Sequence, residues 1–308
     1  MAAASRSLFT AGTSRKAVAG ITLFQRFNKP SFRSISALTD AQVIQRPSDT
    51  EKWKRIAATT AAVVIGAGAL SFLNNRETRD PLSPFEASYL NKTFTYVGVG
   101  LGITASSAYA LHKTGASFRI MRANPWLVIG GSLAAGIGTM IMAMRTAPEN
   151  TGAKHFWWTA FNVAQSATLS PLFFFNPALL ARAGLYTAGV VGSLAYVGAT
   201  ARSDQYLYIG GPLFAGLCVV ALSGLAPLVL PVGTAALAAT QGISLYGGLA
   251  VFGGFVLYDT QKVLQRAKMA EAGTATADPV GESIRFELDV INIFVRIVQI
   301  LGMQQRRK

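Results

Sequence analysis

Charge is scarce in this chain, and negative charge most of all. Of 308 residues, 14 are Asp or Glu and 28 are Lys or Arg. Charged residues make up 14% of the sequence, where a soluble domain carries about 25%. That deficit excludes an ordinary solvated globular surface. There is one cysteine, Cys218. It excludes an intrachain disulfide and any multi-cysteine metal centre. The two histidines, His112 and His155, have no metal-ligand spacing and are expected in solvated loops. No Gly-x-Gly-Asp element surrounds any aspartate, which removes the main support for an intramembrane protease. The net charge of +14 is spread over short segments and both tails. It forms no clustered basic face, so nucleic acid is not an expected partner, and anionic lipid is.

What the chain does have is long uncharged stretches. Residues 56–75, 93–111, 123–144, 156–181 and 183–201 contain no Asp, Glu, Lys or Arg, and neither do the 54 positions 205–258. A membrane-spanning helix needs about 20 mostly apolar residues. The longest run therefore holds two, with a turn at Pro227 and Pro231. The expected class is all-α, a polytopic membrane helix bundle. Spans are expected near 56–73, 93–111, 125–144, 156–175, 178–200, 206–228, 237–258 and 284–302. Glycine strings such as "GVGLG" and "YGGLAVFGG" suit close helix packing. They follow no strand and make no nucleotide-binding motif.

The first 39 residues carry six basic side chains (Arg6, Arg15, Lys16, Arg26, Lys29, Arg33) and no acidic one. Serine is frequent, and no compact apolar core of a secretory signal is present. This is the pattern of a mitochondrial transit peptide, with cleavage expected near "SFRSIS". The expected organisation is a transit peptide and basic disordered leader over 1–55, a first transmembrane helix over 56–73 and a polar linker over 74–92. A seven-helix bundle over 93–303 and a basic tail over 304–308 complete it. Eight spans put both ends on one side; flanking charges do not fix which, and the matrix is the expected one.

The span at 284–302 is the unusual one. Glu282, Arg285, Asp289, Asn292, Arg296 and Gln299 recur at spacings of 3, 4, 3, 4 and 3, one face of a helix. Ionised groups at a bilayer centre cost about 2.5–3.5 kcal/mol each on insertion scales. Such a helix belongs inside the bundle, with no other charge expected in the interior. Arg285 with Asp289, and Asn292 with Arg296, are i, i+4 pairs. A self-neutralised packing stripe is therefore one reading. Asp259 closes the preceding uncharged run. It reads either as an interfacial residue paired with Lys262 or Arg266, or as a partner facing Asp289.

"YDTQKVLQRA", then "DPV", then "LDVINIFVRIVQIL" resembles the C-terminal signature of the Bax inhibitor-1 family of membrane proteins, over about residues 85–305. The leader, the additional first span and "PALLARAGLYTAGVVG" resemble its mitochondrial branch. The resemblance implies seven helices surrounding a polar last one, pH-sensitive calcium permeation and suppression of cell death. It maps the family's proton-sensing pair onto Asp259 and Asp289. For the mitochondrial branch it implies inner-membrane organisation and calcium–proton exchange. Bacterial relatives latch the pair with an arginine in the second bundle helix. Residues 125–144 hold none, and Arg145 lies only at the end, leaving Arg285 or Arg296 to compensate.

The chemistry agrees with that mapping. Two neighbouring carboxylates in low dielectric cannot both ionise cheaply, so such a pair shares a proton. Carboxylate oxygen also suits calcium. Calcium takes about 6–8 oxygens, so Asp259 and Asp289 would need help, for which Tyr258, Asn292 and Gln299 are candidates. Calcium is thus expected as a transported ion, with no resident cofactor and no enzymatic activity. The competing reading is a scaffold of the inner membrane and its cristae, acting through lipid and protein partners. The address is testable first. Residues 1–55 fused to a soluble reporter are expected to deliver it to mitochondria; a cytosolic reporter overturns the transit reading.

Overall fold

A computed structural model describes residues 79–202 and 204–306. The first span and the leader lie outside them. Among the described residues seven long helices occur. They are α1 (Pro84–Lys113), α3 (Pro125–Arg145), α4 (Thr151–Leu169), α5 (Pro177–Thr200), α6 (Gly210–Leu225), the α7–α8 pair, and α9 (Pro279–Arg306). A short α2 (Ala116–Arg122) follows α1. Helix α7 (Ala235–Gly242) passes through a π-turn, Ile243–Gly247, into α8 (Gly248–Glu271). The all-α membrane bundle expected from the sequence is the fold.

The starts are written locally. Ser83, Asn124, Asn150, Asn176 and Thr234 each accept a backbone N–H in the first turn of the helix that follows. Proline stands in that first turn at 84, 125 and 177, where its missing N–H is not needed. At Ser83 the cap is reciprocal. The Glu86 N–H donates to Ser83 Oγ at 3.1 Å, and the Ser83 N–H donates to Glu86 Oε2 at 2.9 Å. Helix α1 therefore begins at Pro84, and residues 84–92, expected in the linker, are helical. Tyr89 and Leu90 in that stretch are buried. At the other end α9 runs through Gln304–Arg306, which the sequence assigned to the tail.

Polarity runs inside out. Leu127, Leu185 and Leu222 are 70% or more exposed, while Glu287, Asn162 and Thr93 are fully buried. Water would punish that arrangement; a bilayer accepts it, because the outer face meets hydrocarbon and the polar groups find partners inside. Among the described residues, five helical stretches are long and apolar enough to cross a membrane: Pro84–Lys113, Trp126–Arg145, Pro177–Thr200, Leu207–Leu228 and Ala235–Glu271. Helices α4 and α9 are the other two long ones, and they carry much of the buried polarity. Helix α9 packs against α1, α3, α4, α5, α8 and the π-turn. It is the axis of the bundle.

Close approach to that axis depends on glycines. A Cβ at Gly100 of α1 would lie 2.4 Å from Glu287 Oε1 of α9. At Gly248 it would collide with the Arg296 guanidinium, whereas a Cβ at Gly98 or Gly102 meets nothing within 4 Å. Overpacking costs about 1–3 kcal/mol. Gly100→Ala and Gly248→Ala are therefore expected to lower the thermal midpoint of the purified protein, with Gly98→Ala and Gly102→Ala leaving it unchanged or higher. Equal effects at all four positions would contradict the packing.

Candidate functional site

Asp259 sits on α8 and Asp289 on α9, the two C-terminal helices, which pack side by side. Asp259 is 6% exposed and Asp289 5%. Helix α8 continues to Glu271, about three turns beyond Asp259, so this residue is inside its helix and does not cap its end. The two carboxyl groups are near enough to act on each other directly. The second oxygen of Asp289, Oδ2, is buried without a partner.

The basic residues go elsewhere. Arg266 forms a very short ion pair with Glu282 Oε1, and Arg285 Nη1 donates to Glu282 Oε2 at 3.3 Å. The i, i+4 neutralisation of Asp289 by Arg285 is thus replaced by an i, i+3 pair with Glu282. Glu282 is 1% exposed, so both arginines serve a carboxylate that is out of reach of water. Lys262 Nζ donates to Tyr258 OH at 3.2 Å. The charged groups acting on Asp259 are Arg285, Lys262 and Glu282. Neither Lys262 nor Arg266 forms the interfacial pair with Asp259 that the sequence left open.

The Asn292–Arg296 pair does form: Arg296 Nη1 donates to Asn292 Oδ1 at 3.0 Å. Arg296 Nε also donates to the Ser244 carbonyl at 3.1 Å, inside the π-turn, and its guanidinium lies 4.6 Å from the centre of the Phe252 ring. A π-turn lacks one regular helical bond and exposes a carbonyl; the arginine fills that need. Gln299 is exposed and takes no part. Tyr258, Asn292 and Gln299, the extra oxygen candidates, therefore do not converge on the aspartates. Among the described residues no group of three His, Cys, Asp or Glu side chains could hold a metal.

The interior holds more charge than the stripe. Lys154 of α4 is 1% exposed; its ammonium donates to Asp278 Oδ2 and to the Thr146 carbonyl. Glu86 is 3% exposed and accepts from Arg79 at 2.9 Å. Glu287 of α9 is wholly buried against α1 and α4, where Trp158 Nε1 donates to its Oε1 at 3.0 Å. The stripe's spacing hid Glu287, which lies about 200° around the helix from Asp289. Its sequence signal was an acidic residue inside a span, off the stripe; its partners on α1 and α4 carried none. The histidines are helical, not looped. His155 of α4 lies 3.1 Å through Nε2 from the Tyr96 hydroxyl, and His112 ends α1.

With this geometry in hand, likeness to known proteins can be read. Residues 86–306 match the family described as Inhibitor of apoptosis-promoting Bax1. The chain is 36% identical over 221 residues to the growth hormone-inducible transmembrane protein of Rattus norvegicus, covering 71% of this chain and 64% of that one. It is 24% identical over 238 residues to Bax inhibitor 1 of Drosophila melanogaster, 74% of this chain and 88% of the relative. Inner membrane protein YbhL of Escherichia coli strain K12 is 24% identical over 219 residues, 70% of this chain and 91% of the relative. The match to the rat protein thus spans less than two thirds of its length. A multi-pass helical bundle organised around a polar last helix is the class this fold defines. The chain belongs to the Bax1 inhibitor family.

Proposed function

We propose that this chain is a mitochondrial inner-membrane protein that moves calcium in exchange for protons, with Asp259 and Asp289 as the exchanging pair. The observation that carries the reading is a pair of buried carboxyl groups that act on each other from adjacent helices, one of them with an oxygen unpartnered among the described residues. At low pH one proton bridges the pair. When pH rises the proton leaves, two carboxylates face each other in low dielectric, and their repulsion is relieved by a cation or by separation of α8 from α9. Calcium is the fitting cargo because it prefers carboxylate oxygen. Two carboxylates without further acidic ligands suit a transient stop better than a resident cage. Arg285, among the charges acting on Asp259, is the better placed of the two arginines to stand in for a latch. The basic, acid-free leader supports the mitochondrial address, as does the likeness to the rat protein.

Membership in a family described as Inhibitor of apoptosis-promoting Bax1 supports a general anti-apoptotic membrane role, and with it a second reading. In that reading the bundle is a scaffold of the inner membrane and cristae that restrains apoptosis through lipid and protein partners.

Calcium flux into liposomes holding the purified protein, followed at several pH values, separates the two. Asp259→Asn and Asp289→Asn are each expected to abolish the pH dependence. The double variant should be little worse than either single one, since the pair acts as a unit. PH dependence surviving in both single variants would sink the exchange mechanism. Unchanged flux in all three folded variants would favour the scaffold.

A further inference from the structure

Helix α9 has a second polar flank that the aspartate pair does not use. Glu287 faces α1 and α4 and is 0% exposed. Its Oε1 accepts from Trp158 Nε1 at 3.0 Å and from Ser283 Oγ at 3.0 Å, and its Oε2 has no partner. The groups acting on it are Trp158, Ser283 and Asn162, all neutral. Tyr96 of α1 and His155 of α4, the titratable groups beside Trp158, contact each other and meet its ring edge-on. The other acids of α9, Glu282 and Asp289, are engaged with Arg266 and Arg285 and with Asp259. A full negative charge here has no counter-ion.

The hydrogen-bond inventory accommodates both protonation states. Ser283 has one hydroxyl proton but two acceptors in reach, Glu287 Oε1 at 3.0 Å and the Val280 carbonyl at 2.9 Å. With the carboxylate charged, the hydroxyl turns to Glu287. With it protonated, the hydroxyl turns to Val280 and Ser283 Oγ is free to accept the Glu287 O–H. Trp158 Nε1 lies between both acceptors, 3.0 Å from Glu287 Oε1 and 3.1 Å from Ser283 Oγ, and keeps its bond in either state. One hydroxyl rotation is all that the change requires.

We infer that Glu287, with Ser283 and Trp158, forms a second proton-binding site of the bundle, separate from the aspartate pair. The geometry selects the proton over a metal ion. Donors are aimed at Oε1, which a cation would have to displace. Gly100 is so close that even a methyl group there would reach 2.4 Å from Oε1. Among the described residues no group of three His, Cys, Asp or Glu side chains that could hold a metal includes it.

The site is readable without any transport assay, so its failure and that of the exchange mechanism are distinguishable. The full chain in liposomes is followed by infrared spectroscopy of the protonated-carboxyl C=O band, and by the Trp158 part of the fluorescence, isolated by subtracting Trp158→Phe. Both are recorded from about pH 4 to about pH 9, the range that brackets ordinary and strongly buried carboxyl groups. The wild type is expected to show a pH-dependent carboxyl band and a matching change in Trp158 emission. The Trp158 change and the part of the band that tracks it should vanish in Glu287→Gln, which keeps the aspartate-pair part, and both should persist in the Asp259→Asn, Asp289→Asn double variant. Ser283→Ala should keep the band but shift its frequency, because the hydroxyl partner is gone. A wild-type band that is pH-independent, or that is the same in Glu287→Gln, overturns the site. If Glu287→Gln fails to fold, an unshifted band in Ser283→Ala overturns it instead.

Discussion

Hydrocarbon supplies no hydrogen bonds. Every polar atom placed in it must find its partner within the protein, and that demand decides how the other helices meet α9. Glu282 takes Arg266 and Arg285; Glu287 takes Trp158 and Ser283; Arg296 takes Asn292 and the Ser244 carbonyl. Each bond fixes a neighbour in register: the first ties α8, the second α4, the third the π-turn. Apolar packing between membrane helices is nearly indifferent to rotation, because lipid tails match apolar side chains. The polar bonds are what give this bundle one arrangement.

The same demand explains where small residues fall. Gly100 and Gly248 stand where a side chain of α9 must reach across, and Gly198 of α5 lies where a Cβ would be 2.9 Å from Thr260 Cβ on α8. The latter contact braces α8 one residue after Asp259. The aspartate pair is thus held by backbone proximity on one side and by the Glu282 ion pairs on the other.

Much of this could be read from the residues. Uncharged runs placed six of the seven long helices among the described residues, since charge exclusion is the bilayer's strongest demand on sequence. The stripe of α9 marked the axis, and the resemblance around "YDTQ" and "LDVINIF" brought Asp259 and Asp289 together. The rest was hidden for physical reasons. Residues 84–92 looked like linker because Glu86, Asn91 and Lys92 are polar, although the capping signal Ser83–Glu86 was present. Arg285 could have served either Glu282 or Asp289, three residues back or four ahead, and only packing against Arg266 and Asp259 decides. Glu287 lay off the periodicity, so no single-helix pattern could reveal that a tryptophan on another helix awaited it.

Order of synthesis gives the axis another meaning. Helix α9 follows the other long helices in chain order, and it is the polar one, poorly suited to entering lipid alone. Before it packs, Trp158 lacks its acceptors, the space beside Gly100 is open, and Asp259 has no companion. Packing of α9 satisfies those groups together, so the most polar helix is also the one that closes the bundle.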